Sequence, residues 1–269
     1  MGTDTPGGAK LRALREQYGK TQLWVEVEAD LGTGYLQRVE SGRVVQPGRP
    51  TLERILAALG ARYTERRQIL EVFGYTVATP PPDDADRAWA RAACQRELRD
   101  VLFPAYVLDC TSRLVAWNGY LPRLLGLAPT DPRLDRIAAR PVLESWLDPS
   151  SPLAALVVEP AAFLPALVRA LRYELQQLGP EPWAEAWLAR MRAELPQFRH
   201  YWDTTAQEPA PAGAARALVP VRLAVPGIGE LQFRLSSEPF AQDARFRTIY
   251  YFPADPITMQ QCAAWAARD

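Results

Sequence analysis

Two regions of this sequence carry side chains whose chemistry is directional. Thr21-Gln22 is followed, after twelve residues, by Tyr35-Leu36-Gln37-Arg38-Val39-Glu40-Ser41-Gly42. An arginine can pair with O6 and N7 of guanine, and a glutamine with N6 and N7 of adenine, so Gln37 and Arg38 suit base-edge reading if one helix face exposes both. Farther along, Arg172 flanks a stripe of Leu164, Val168, Leu171 and Leu175. An arginine beside an apolar wall could hold a carboxylate through two parallel hydrogen bonds, and Asn118, at a strand end, could add another. The plainer reading stands beside it: a leucine stripe as core, its arginine reaching water, and Asn118 as a turn residue.

Other chemistry is thinly supplied. The single histidine, His200, has aromatic neighbours and is read as making one hydrogen bond rather than ligating haem. The three cysteines, Cys94, Cys110 and Cys262, are too widely spaced for a metal site or disulfide framework and read as buried thiols. Trp183 and Trp187, four apart, share one helix face and read as packing. There is no Gly-rich phosphate loop, metal cluster or nucleophile with a base, so the expectation is no enzyme, no metal and no cofactor. No signal-peptide core and no apolar run near ~20 residues is present, which predicts a cytoplasmic protein without membrane association. At 48% hydrophobic the chain can bury a real core. Its 31 basic and 31 acidic residues cancel, so any contact with DNA must be local rather than a general basic coat.

The elements that must position these residues fall into two parts. Thr79-Pro80-Pro81-Pro82-Asp83-Asp84 forbids helix continuation, which predicts domains at 1–79 and 87–269 with a linker at 80–86. Before it, helical patterns near 9–18, 21–30, 33–40, 50–59 and 64–73 predict an all-α bundle. After it, a helix near 85–101 precedes a hairpin of 105–109 and 114–117. Helices follow, strongest at 161–178 and 182–202, then a loop at Gln207 to Gly213. Alternation through Val219–Val225 and Leu231–Leu235 around Pro226-Gly227, then Phe246–Phe252, predicts an antiparallel sheet with helices over one side. The second part is therefore α+β.

Within the first part, Thr21 can cap a helix that turns Val25 and Ala29 inward, and Gly32 permits a tight turn. A second helix then buries Leu36 and Val39 and leaves Thr33, Gln37 and Arg38 outward. Residues 9–75 resemble the Cro/repressor-like (XRE-type) helix-turn-helix family. That resemblance implies double-stranded DNA as partner, Gln22 on a phosphate, Thr33, Gly34, Gln37 and Arg38 over base edges, and Ser41 and Arg43 on the backbone. It also implies a buried ion pair between Arg15 and Glu40. The chain departs from the family at Glu26, Glu28, Asp30 and Gly32, where small residues, a glycine and a capping Ser or Thr are common. The acids could repel phosphate, and the glycines at 32 and 34 are expected to weaken the helix by roughly 1 kcal/mol each. Residues 1–78 hold 11 basic against 9 acidic residues, an excess of only two.

In the second part, Pro104-Ala105-Tyr106-Val107-Leu108-Asp109, Val115-Ala116-Trp117-Asn118, Leu171-Arg172, Phe198-Arg199-His200-Tyr201-Trp202 and Gly229-Glu230-Leu231 resemble, in that order, the PAS-like domain of MmyB-type regulators. The resemblance implies a pocket for a fatty-acid-like apolar ligand. Tyr106, Trp117, Asn118, Leu164, Val168, Leu171 and Arg172 are the residues expected to form it. The combined reading is a ligand-responsive transcription regulator, a homodimer on paired half-sites, coupled through the helix near 85–101. The alternative is a regulator whose second domain only dimerises or docks another protein.

Overall fold

The structure is a computed structural model, and it describes residues 5–178, 180–205 and 218–267. The loop expected at Gln207 to Gly213 lies outside the described residues. The chain divides into two compact units, Met1–Ala78 and Thr79–Asp269.

The first unit holds α1 (Pro6–Gln17), α2 (Gln22–Glu28), α3 (Tyr35–Glu40), α4 (Arg49–Ala58) and α5 (Tyr63–Val72). Local sequence sets their ends. Thr5 and Thr21 accept hydrogen bonds from the N–H groups of Gly8 and Trp24, capping α1 and α2. Leu11, Val25, Leu36, Val39, Leu52, Ile55 and Leu56 are completely buried between the helices. Gly8 lets α1 approach the end of α3: a Cβ there would lie 2.5 Å from the Val39 carbonyl oxygen and 2.8 Å from that of Glu40. No side chain fits that gap, so the glycine fixes how closely α3 is held.

In the second unit, Thr79 is already anchored. Its N–H donates to Glu181 at 2.7 Å and its carbonyl accepts from the Trp183 indole at 2.6 Å. Asp84 to Asp86, expected as linker, instead form the first turn of α6 (Asp84–Asp100), because Asp83 caps it by accepting from the Asp86 N–H at 2.8 Å. The strands are β1 (Ala105–Asp109), β2 (Leu114–Trp117), β3 (Val219–Val225), β4 (Gly229–Pro239) and β5 (Phe246–Pro253). Among the described residues they form one antiparallel sheet in the order β2-β1-β5-β4-β3. Between β2 and β3 come α7 (Leu121–Leu124), α8 (Arg133–Ala138), α9 (Val142–Leu147), a single 3-10 turn (Ala154–Leu156), α10 (Pro160–Leu178), α11 (Pro182–Glu194) and α12 (Pro196–Thr204); α13 (Pro256–Ala266) follows β5.

Two expectations are corrected here. The helix expected over 182–202 is two helices, because Leu195 before Pro196 takes an extended backbone and Pro196 starts α12. Helices also cover more than one side of the sheet. β3 alternates buried and exposed residues, but β1 is buried along its whole length. Tyr106 and Leu108 face the main core, whereas Ala105 and Val107 face Ala90, Cys94 and Leu98 of α6.

Candidate nucleic-acid interface and ligand cavity

The face of α3 is built from its buried side outward. Leu36 and Val39 point into the core, and Thr33, Gln37, Arg38 and Arg43 are exposed. Ser41 is half-buried, its hydroxyl donating to the Arg38 carbonyl at 3.3 Å. The Arg38 guanidinium lies 5.6 Å from the centroid of the Tyr35 ring, a cation–π distance that biases its direction without removing it from solvent. A short helix with a polar exposed face of this kind fits the major groove.

The glycines do not weaken α3 as expected. The helix begins at Tyr35, and Gly34 is its cap residue with φ of 77°, a left-handed conformation in which other residues are strained. Gly32 lies before it. Glu26 replaces the missing Ser or Thr cap: one carboxylate oxygen accepts from the Gly34 N–H at 3.0 Å, the other from the Leu36 N–H at 2.8 Å. Glu26 is 4% exposed, so it caps the helix from within rather than facing phosphate. The acidic end also complements the helix dipole. At Asp30 the φ is +51°, which explains why a glycine is favoured there and why aspartate is tolerated. Glu26→Ala is expected to lower stability by about 1–3 kcal/mol, since two backbone donors lose their acceptor. A urea midpoint equal to that of the unsubstituted chain would contradict the capping role.

Below α3, Glu40 is wholly buried and accepts from Arg15 Nε at 2.7 Å and Nη2 at 2.9 Å. The hydrogen bond to Glu40 is the main cause of the raised Arg15 pKa. Gln22 belongs to the same cluster, donating through Nε2 to Glu40 at 2.7 Å. Its amide is therefore not freely projecting as a phosphate contact: one of its two N–H bonds is spent inside the fold.

The second unit encloses an apolar cavity of about 40 Å³. Tyr106 and Trp117 line it, together with Leu114, Leu121, Pro122, Leu124, Leu125, Leu134, Ile137, Val142, Trp146, Leu153, Leu156 and Tyr251. The structure separates the other expected ligand residues from this wall. Leu164, Val168 and Leu171 are buried in the surrounding core but do not line the cavity. Asn118 does not face it: its Oδ1 accepts from the Ala105 N–H at 3.1 Å and the Tyr120 N–H at 3.3 Å, and its Nδ2 donates to the carbonyls of Phe103 at 2.8 Å and Val101 at 3.3 Å. Four backbone groups use its hydrogen-bonding capacity, which leaves none for a ligand.

Arg172 also turns away. Its guanidinium lies 3.9 Å from the Trp202 ring centroid and donates to the Trp202 carbonyl oxygen. Burial pulls its pKa down. The polar groups on the cavity wall are instead the hydroxyls of Tyr106 from β1 and Tyr251 from β5, whose oxygens are 3.5 Å apart, and the indoles of Trp117 and Trp146. Burial pushes both phenols up, so they remain protonated and neutral.

Sequence reasoning missed Glu26, Tyr251 and Trp146. An acid eight residues before a glycine-started helix was a usable signal for Glu26. Tyr251 lay within a strand already recognised as aromatic, but nothing in a single strand tells which ring meets β1.

A helix-turn-helix unit followed by an α+β unit around an apolar cavity defines a DNA-binding transcription regulator with a ligand-binding domain. Residues 90–264 match the family described as the MmyB-like transcription regulator ligand binding domain, and residues 8–69 match a helix-turn-helix domain family. The first match covers about two thirds of the 269 residues, and the chain belongs to that family. A comparison with curated proteins found no match. Among the described residues no helix is long and apolar enough to cross a membrane, and no group of three or more His, Cys, Asp or Glu could hold a metal.

Proposed function

We propose that this chain is a cytoplasmic, homodimeric XRE-type regulator. It reads duplex DNA with Thr33, Gln37 and Arg38 and responds to an apolar ligand in the second unit. The observation that carries the DNA half is the exposed face of α3, held by Leu36, Val39 and the Glu26 cap. The ligand half rests on the cavity, whose wall is apolar apart from two hydroxyls and two indoles.

A cavity of about 40 Å³ is well below the roughly 300 Å³ of ordinary ligand sites, so binding requires a wall to move. The segment of α8 suits that movement. It has six residues, no side-chain cap, and Leu134 as its one buried residue, features of a low-stability element. The same small volume is also compatible with the second reading, a unit filled by its own side chains that dimerises or docks a partner protein. Mass spectrometry of an organic extract separates them: a stoichiometric apolar molecule supports the sensor, and its absence favours the docking unit.

The DNA role is tested by selecting duplexes from a random pool with the full chain, then comparing Arg38→Ala on the selected site. The expected loss of specific affinity is roughly 1–3 kcal/mol, about 5- to 150-fold, with relaxed preference at one base pair. An unchanged sequence preference would remove Arg38 from base reading.

A further inference from the structure

We propose that the cavity selects a neutral, oxygen-bearing apolar molecule, a long-chain ketone, aldehyde or alcohol, and discriminates against a carboxylate. This rests on reading the second unit as a ligand-binding domain and adds the class of head group.

No Lys, Arg or His side chain is among the residues lining the cavity. Arginines of the second unit are turned to other partners: Arg123 of α7 donates to the Trp265 carbonyl at 3.0 Å, and Arg247 pairs with Glu174 at 3.0 Å. Arg172 stacks on Trp202 and donates to its carbonyl, and its one buried unpartnered nitrogen, Nε, is on a side chain that does not line the cavity. A carboxylate entering this wall would lose its water with no countercharge, a cost that normally forces the group to take up a proton. A fatty acid would thus bind as the protonated form, which is scarce at neutral pH.

The polar atoms present suit a neutral acceptor. The Tyr106 and Tyr251 hydroxyls carry two protons, and either can donate across their 3.5 Å separation. Whichever does, the other proton has no acceptor among the described residues. The separation is long for O–H···O, so the mutual bond is weak and easily exchanged for one to a ligand oxygen. Trp146 adds an indole N–H, which only donates. The patch is rich in donors and holds no charge, which is what a carbonyl or hydroxyl oxygen at the end of an alkyl chain requires.

Tryptophan fluorescence of the full chain, titrated at pH 7.5 with 2-undecanone, 1-decanol and decanoate, tests this, since Trp117 and Trp146 lie on the wall. The ketone and alcohol are expected to bind at least ~10-fold more tightly than decanoate, reflecting the desolvation of the charge. The double variant Tyr106→Phe, Tyr251→Phe is expected to weaken ketone binding about fivefold, the worth of one net hydrogen bond, and controls for simple partitioning of the less polar compounds. Decanoate binding as tightly as the ketone would overturn the neutral preference and leave the ligand-binding reading standing. Unchanged ketone affinity in the double variant would overturn the tyrosine recognition. No response to any of the three would overturn both this inference and the ligand-binding reading beneath it.

Discussion

Glu40→Ala is expected to destabilise the first unit by about 3–5 kcal/mol, because it leaves the buried Arg15 guanidinium with only the exposed Glu16 carboxylate, 3.5 Å away, as counter-ion. That is a large part of the roughly 5–15 kcal/mol that holds a domain together. The carboxylate accepts from both Arg15 and Gln22, and its residue sits at the end of α3, so its loss also frees the helix that presents Arg38. The Arg15 side chain reaches further, donating through Nη1 to the Lys20 carbonyl at 2.8 Å, which fixes the chain between α1 and α2. Replacing both partners by apolar residues, Arg15→Met with Glu40→Leu, is expected to recover most of the loss, since no charge is then stranded. Urea denaturation followed by far-UV circular dichroism checks this. A double variant no more stable than Glu40→Ala would mean that the cost lies in packing rather than in an unpaired charge.

Asn118→Ala is expected to cost the second unit about 3 kcal/mol or more. Four backbone groups, on Val101, Phe103, Ala105 and Tyr120, lose their partner together, and each buried polar group left unsatisfied costs roughly 1–3 kcal/mol without full additivity. Asn118→Asp is expected to be as severe, because the two N–H donors become acceptors facing the Val101 and Phe103 carbonyls. Thermal unfolding of the second unit reads the loss. A ligand anchor would behave differently: the melting temperature of the unliganded chain would stay put and only ligand affinity would fall. The structure predicts the first pattern.

The fold was more legible than the cavity, for identifiable reasons. The five helices of the first unit announce themselves through apolar periodicity and through Thr21 and the glycines between them. Arg15 and Glu40, separated by 25 residues, were placed together by family resemblance, and the geometry agrees. Strands β3 and β4 were equally plain because each has one dry and one wet face, with Gly227 at φ of 73° turning between them.

What was hidden depended on pairing across the chain. Arg172 looked like an anchor because its helix stripe is apolar, but periodicity says only which face is buried and not against what. Trp202, 30 residues on, takes the guanidinium. The cavity wall comes largely from α7, α8, α9 and the turn at Ala154–Leu156, elements of three to six residues. Such lengths are too short for a 3.6-residue period to declare itself. Tyr106 and Tyr251 meet only because β5 pairs with β1 across 145 residues, which no local signal encodes.

Occupancy of the second unit is expected to alter DNA binding by the first. The direct measurement is the equilibrium affinity of the full chain for its selected duplex, at fixed salt, with and without saturating 2-undecanone, 1-decanol or decanoate, saturation being read from tryptophan fluorescence. A bound ligand is expected to change the dissociation constant by at least ~5-fold, the lower end of ordinary coupling between sites. Identical affinities with the cavity demonstrably filled would contradict it.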